Sequence, residues 1–379
     1  MPSAEHHQLI TGMALNACAV KDAELLVEDY CLWPDCLHSR YAEIAPYMFM
    51  IDGVDFHYLP HTPVEDFYRY WQYIPGVGVR LKPMAKGNDN QRFAENGFTF
   101  YLQNIADKLQ AGERDEAWKF LGILLHTLED QAFGIHALEG PDGTDVFVLD
   151  RLSGMPVAKY LCAIPFAGID HDFQVTPEVF ANNVPEAAAL LYHRYAASSS
   201  SSRQALFRMA MEFISGKTDE SVIRKNEKIM LKNAVQLAAD TIATVLAVAN
   251  GTFAAPEEVA LTGFEPFFYP IGGGGNFPLR KAEFTQNQVT FGVNHEAKLL
   301  YHIPEGVYRE FQAEFSGAGL GEVEIILVNN GDESVRYRLA GNNQISCRLK
   351  DPGGVFGIIL RNISGRGEFS VTGGRFFRR

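Results

Sequence analysis

Apolar residues recur at three- and four-residue intervals through most of the first 250 positions, the spacing of one helix face. The stretch "HHQLITGMALNACAV" places Leu9, Ile10, Met13, Ala14 and Ala17 on such a face. Residues 94–112 and 114–132 predict two more helices, and 184–197 and 203–216 another two. "ASSSSSRQ" between the last pair reads as a low-complexity loop. The longest helix is predicted from Asp219 and Ser221, which suit a start, to Gly251, which suits a stop.

The pattern changes near residue 251. Residues 251–279 are rich in Gly, Pro and aromatics without a helical period, and "IGGGGN" (271–276) reads as flexible linker. Short runs with strand-like alternation follow at 287–293, 298–303, 309–317, 323–330, 344–349, 354–362 and 367–377. The turn signals "PEG", "NNGD", "GNN", "DPGG" and "SGRG" separate them. Strands at this rhythm indicate an all-β sandwich. The expected organisation is an all-α domain over 1–255, a linker over 256–275 and a jelly-roll-like β-sandwich over 276–379.

Composition narrows the class. With 47% hydrophobic and 21% charged residues, the chain is that of an ordinary globular protein. It has no run of eighteen uninterrupted apolar residues, so no transmembrane helix is expected, and the N-terminus lacks the pattern of a signal peptide. Five cysteines without CxxC spacing disfavour a disulfide framework and zinc–thiolate sites. The net charge of −13 is uneven: residues 1–264 balance to −14 and residues 265–379 to +1. An acidic domain repels polyphosphate, so no stable nucleic-acid partner is expected, whereas bound cations would offset the charge.

The candidate chemistry lies in "LLHTLEDQAFGIHALEG", residues 124–140. The preceding helix is apolar almost all round, which predicts a central, buried element. His126 and Asp130, four apart, share one face, and His136 follows a bend at Gly134. A buried carboxylate is costly unless paired or metal-bound. The three residues are therefore either hydrogen-bonded core groups or metal ligands. His7, Asp35 in "LWPDCLHSRY" (with Pro34 presenting it from a turn or helix start) and His57 in "DFHYLPHTP" extend the set. Imidazole plus carboxylate without thiolate suits zinc in a hydrolytic site. His6 is expected to face solvent, and Tyr58, Trp71, Tyr73 and Phe133 to belong to the core or to a substrate cleft.

Taken together, these motifs resemble the zinc-dependent phospholipase C and single-strand-specific zinc nuclease superfamily. Its HxxxDxxxxxH signature is matched by His126, Asp130 and His136, the N-terminal "HxxI…AL" by His7, Ile10, Ala14 and Leu15, and the "PD" and "HY" elements by Pro34-Asp35 and His57-Tyr58. The resemblance implies an all-helical fold over roughly 5–250 holding two or three zinc ions. Asp35, His57, His126 and Asp130 would ligate one ion; His7 and Asp130 would serve a second, with Asp130 as the bridge; His136 would begin a third site. Asp35 and Asp130 would carry the catalysis, with Asp35 orienting or deprotonating the attacking water. The family's N-terminal Trp has no counterpart, and its later HxxxE/D pair is missing in clean form: His193 is followed four residues on by Ala197. His193, His171 and Asp150 are the rivals for the third site.

The implied substrate is a phosphate ester, a phospholipid first; a nuclease or nucleotidase of the same fold is the alternative in chemistry. The resemblance also implies a secreted or cell-envelope protein. The strand rhythm of "AKLLYHIPEGVYREFQAEFSGAG" and "GEFSVTGGRFF" resembles galactose-binding-like jelly rolls, which implies a glycan or membrane surface as partner. A non-catalytic protein that binds glycans through this domain is the alternative from another class.

Overall fold

The computed structural model describes residues 4–37, 39–51, 54–55, 69–74, 78–83, 87–133, 171–216, 219–264, 266, 282–293, 296–340, 343–362 and 365–378, with the backbone alone over 50–93. The chain divides into two compact units, Met1–Ala255 and Pro256–Arg379.

The first unit is mainly helical. Helix α1 (Ala4–Ala17) buries His6, His7, Ile10, Thr11, Ala14 and Leu15 along one face. Three short helices follow, α2 (Glu24–Glu28), α3 (Trp33–Cys36) and α4 (Tyr41–Ile44). Two small antiparallel ladders then interrupt the all-α pattern: β1 (Met50–Ile51) with β2 (Val54–Asp55), and β3 (Arg69–Ile74) with β4 (Gly78–Pro83). Among the described residues four long helices follow: α5 (Gly87–Gln110), α6 (Arg114–Ala132), α7 (Val184–Ile214) and α8 (Glu220–Ala249). Asp219 caps α8 by accepting from the Ser221 backbone N–H at 2.9 Å. By composition α8 is long and apolar enough to cross a bilayer, yet 67% of its most apolar stretch is buried inside the protein, as in a core helix.

Helix α6 is the centre of the packing. From Ala117 to Ala132 every residue except Lys119 is buried. Gly122 lies against a tight turn at Tyr30–Leu32: a β-carbon there would stand 2.6 Å from the Tyr30 carbonyl carbon. The absent side chain thus lets the turn approach the helix closely.

Helix α7 contradicts the loop expected at 197–204, since it runs unbroken through the serine run. Tertiary contacts override the weak helix propensity of serine there. Ser199 and Ser202 are buried; the Ser202 hydroxyl donates to the Ala132 carbonyl at the end of α6, and Asn233 on α8 donates to Ser201 Oγ at 2.9 Å. Small polar side chains let three helices come close, with Ser201 and Ser202 hydrogen-bonded across the contacts.

The second unit is an antiparallel β-sandwich built from β5 (Glu258–Ala260), β6 (Glu283–Phe284), β7 (Gln288–Val293), β8 (Glu296–Ile303), β9 (Tyr308–Leu320), β10 (Glu322–Asn329), β11 (Asp332–Ala340), β12 (Gln344–Lys350), β13 (Gly354–Asn362) and β14 (Gly365–Arg378). One sheet has the order β11-β10-β13-β8 and the other β12-β9-β14-β7-β6, with β5 added beside β14. Phe356 of the first sheet meets Phe311 and Phe376 of the second with ring centroids 4.7 and 5.1 Å away, which fixes the core between the layers. The β10–β11 hairpin turns at Asn330-Gly331, both at positive φ (54° and 88°), the two-residue turn that matches strand twist.

One sequence expectation changes here. The interval 256–275 is not linker throughout, because Glu258–Ala260 pairs with Arg375–Phe377 and Phe264 packs on Tyr308 and Phe376. A three-residue strand is too short to show alternation. The 271–276 glycine run lies outside the described residues.

Candidate metal centre

Three elements bring the candidate residues together. His7 comes from α1, Asp35 from the first turn of α3, and His126 and Asp130 from α6. His7, His126 and Asp130 are buried, and Asp35 retains 23% of its side-chain exposure. Each of His7, Asp35 and His126 offers a ligand atom within 4.8 Å of the other two.

Local hydrogen bonds decide which atoms face the centre. His126 Nδ1–H donates to the Cys31 carbonyl at 2.6 Å, which turns Nε2 toward Asp130 and Asp35. Cys31 lies in the turn that Gly122 admits, and the close approach therefore holds this imidazole. The two imidazole rings lie nearly parallel, 3.9 Å between centroids and 11° between planes. His7 Nδ1 lies 2.7 Å from Glu129 Oε2, and Thr11 donates to Glu129 Oε1 at 2.7 Å. His7 Nε2 is fully buried and has no hydrogen-bond partner.

Asp130 turns one oxygen to each imidazole: Oδ1 is 3.5 Å from His7 Nε2 and Oδ2 is 3.5 Å from His126 Nε2. Asp35 Oδ1 is 3.8 Å from His126 Nε2. These separations are long for hydrogen bonds. They approach the roughly 3.3–3.5 Å that two ligands of one tetrahedral zinc keep when each bond is about 2.0–2.1 Å. The buried Nε2 without a partner, the facing carboxylates and the absence of thiolate make the donor set fit a divalent cation such as zinc.

The electrostatics point the same way. Three carboxylates, Asp35, Glu129 and Asp130, crowd two imidazoles in an apolar surround. Burial opposes a charge on His7, but the Asp130 and Glu129 carboxylates outweigh it and raise the imidazole to about 10. Burial also pushes the Glu129 carboxyl up, against the pull of His7 and Thr11. A bound cation relieves this excess of negative charge.

Other expected site residues fall differently. His57, His136 and Asp150 lie outside the described residues, as do the side chains of Tyr58, Trp71 and Tyr73. His193 is buried in α7 with its ring 5.7 Å from Tyr192, and burial pushes it down to about 3. His171 is exposed. Neither joins a group of three or more possible ligands among the described residues. His6 corrects the expectation of a solvent-facing residue: it is 3% exposed, with its ring 5.1 Å from Phe133. The buried face of α1 is broad enough to take both neighbouring histidines. Glu129 is the residue that motif spacing passed over. Its signal is a second carboxylate beside Asp130 in a helix that is buried all round there.

No protein-family model and no curated protein matches the chain. Among solved structures the chain is similar to CBM51-2 with the INT domains of Clostridium perfringens ZmpB, in complex with GlcNAc. The identity is 12% over 32% of this chain and 31% of that one, with a TM-score of 0.26, so the chain spans about a third of that structure's length. It is also similar to CBM51 of Clostridium perfringens GH95 in complex with methyl-galactose (10% identity, 31% of this chain, 99% of that one, TM-score 0.22). A third similar structure is PirA (13% identity, 24% of this chain, 95% of that one, TM-score 0.21).

Proposed function

We propose that the helical unit is a zinc-dependent phosphodiester hydrolase of the phospholipase C type. One observation carries the reading: His7 Nε2, buried without a hydrogen-bond partner, faces the Asp130 carboxylate beside His126 and Asp35. His7, His126, Asp35 and Asp130 would hold the metal, with His57 and His136 as further ligands from the sequence. When bound, zinc supplies a Lewis acid that lowers the pKa of coordinated water and offsets charge on phosphoryl oxygens.

The chain's own groups do the rest. Asp130, with one oxygen toward each imidazole, is placed to serve both halves of the site. Asp35 is the only one of the four that reaches solvent, so its carboxylate is placed to take the proton of an attacking water. His7, His126 and Asp130 are buried, which strengthens the electrostatic interactions among them.

The −14 balance of residues 1–264 disfavours long polyanions, and so favours a phospholipid over a nucleic acid. A second reading, glycan recognition through the β unit without catalysis, stands on the two-sheet sandwich itself.

Metal analysis of the purified chain should find two or three zinc per molecule; less than one sinks the enzyme reading. A chromogenic phosphocholine ester should be hydrolysed, with activity lost to chelator and restored by zinc. Cleavage of single-stranded DNA instead selects the nuclease. Glycan binding without zinc or turnover selects the second reading. Asp130→Asn should lose both zinc and turnover, and a fully active, zinc-loaded variant would show the ligand set to be wrong.

A further inference from the structure

Helix α6 presents a third polar group toward α1, one that the metal-ligand pattern does not include. Glu129 is fully buried, and both its oxygens are engaged away from the centre. Oε1 accepts from the Thr11 hydroxyl and Oε2 meets His7 Nδ1, each at 2.7 Å. Thr11 follows His7 by four residues on α1, so the two groups share a helix face and hold the carboxylate between them. An ionised carboxylate only accepts hydrogen bonds, which keeps a proton on His7 Nδ1 and makes Nε2, on the opposite side of the ring, the nitrogen that a cation would take. That atom faces Asp130 Oδ1.

We propose that Glu129, braced by Thr11, is a positioning residue that fixes the tautomer and orientation of His7 and strengthens Nε2 as a metal donor. The inference rests on the metal-site reading of His7, Asp35, His126 and Asp130. The physical basis is general: an imidazole that donates its second N–H to a carboxylate is a more basic and better-oriented ligand. The two histidines are treated differently. His126 is held by a neutral acceptor, the Cys31 carbonyl, and His7 by a charged one. Because the rings stack 3.9 Å apart, a His7 ring freed to rotate would also disturb the neighbouring imidazole. Glu129 therefore governs the donor strength of one ligand and the order of both.

The test uses the full chain with Glu129→Gln and Glu129→Leu. The amide can still accept from His7 Nδ1–H and donate to Thr11, so the first variant removes charge while keeping the hydrogen bonds. Zinc affinity is read by competition with a fluorescent chelator, metal geometry by the cobalt(II) absorption spectrum, and the His7 tautomer by nitrogen-15 NMR. Glu129→Gln should bind zinc about tenfold more weakly with an unchanged cobalt spectrum, and Glu129→Leu about a hundredfold more weakly with an altered one. In the zinc-loaded chain His7 should stay the Nδ1–H tautomer in the first variant and lose that preference in the second. Wild-type zinc affinity in Glu129→Gln overturns the proposal, and that variant alone decides if Glu129→Leu does not fold. A wild-type chain that binds neither zinc nor cobalt removes the metal-site reading and this inference with it. Tight wild-type binding with unaffected variants removes the role of Glu129 alone.

Discussion

In the proposed metal site, His7 is where a proton and a metal ion would compete for one nitrogen. Burial disfavours its charge, yet Asp130 and Glu129 raise the imidazole to about 10, so below that pH the metal-free ring holds a proton that a cation must displace. Zinc affinity should therefore rise by about tenfold per pH unit between pH 6.5 and 8.5, one proton being released per ion at this residue. Chelator competition at three pH values measures the slope, and a flat profile would remove His7 from the ligand set. His126 and Asp130 could be picked out in the sequence because side chains that share a helix face fall three or four apart. Glu129 could not, because a residue that acts through a partner obeys that partner's geometry; only the cost of its burial betrays it.

Among the elements, the contact between α6 and the Tyr30–Leu32 turn has the sharpest sequence requirement. Alanine at an exposed helical glycine stabilises by about 1 kcal/mol. At Gly122 the sign should reverse, because the added carbon falls 2.6 Å from the Tyr30 backbone. Gly122→Ala should destabilise the helical unit by about 1–3 kcal/mol. It should also weaken zinc binding, since the displaced turn carries the Cys31 carbonyl that holds His126. Denaturant unfolding and zinc titration check both; a stabilised variant would show that the turn has room to retreat. The long helices and the strands β7–β10 and β12–β14 follow directly from apolar period. Strand β11 and the serine run of α7 are among the elements that do not. Strand β11 is an edge strand that alternates no apolar face, being charged or polar at most positions and mostly exposed. The serine run of α7 is helical only because three helices supply its partners, which no local pattern records.

At the scale of the molecule, each unit has its own core, α6 and its neighbours in one and the inter-sheet aromatics in the other. A ligand that binds only the native helical unit stabilises that unit alone. Calorimetry with and without chelator should then move one unfolding transition downward and leave that of the sandwich in place. Movement of both, or of neither, would contradict a metal site confined to the helical unit. Charge asymmetry and the change of period near residue 251 made the two-part plan readable. The strand at 258–260 was not readable, since three residues carry no period and its identity depends on a partner more than a hundred positions away.

That small strand has a consequence for where the sandwich can be cut. Arg375–Phe377 of β14 extend beyond the rung where β7 stops at Thr372, and β5 covers them. A fragment that starts at Pro256 keeps this boundary closed and should run as a monomer on size exclusion. One that starts after residue 264 leaves unpaired backbone donors and acceptors at a sheet margin, an open template for another copy. It should self-associate with rising concentration, so the segment that reads as a tether between two units acts as the seal of one of them.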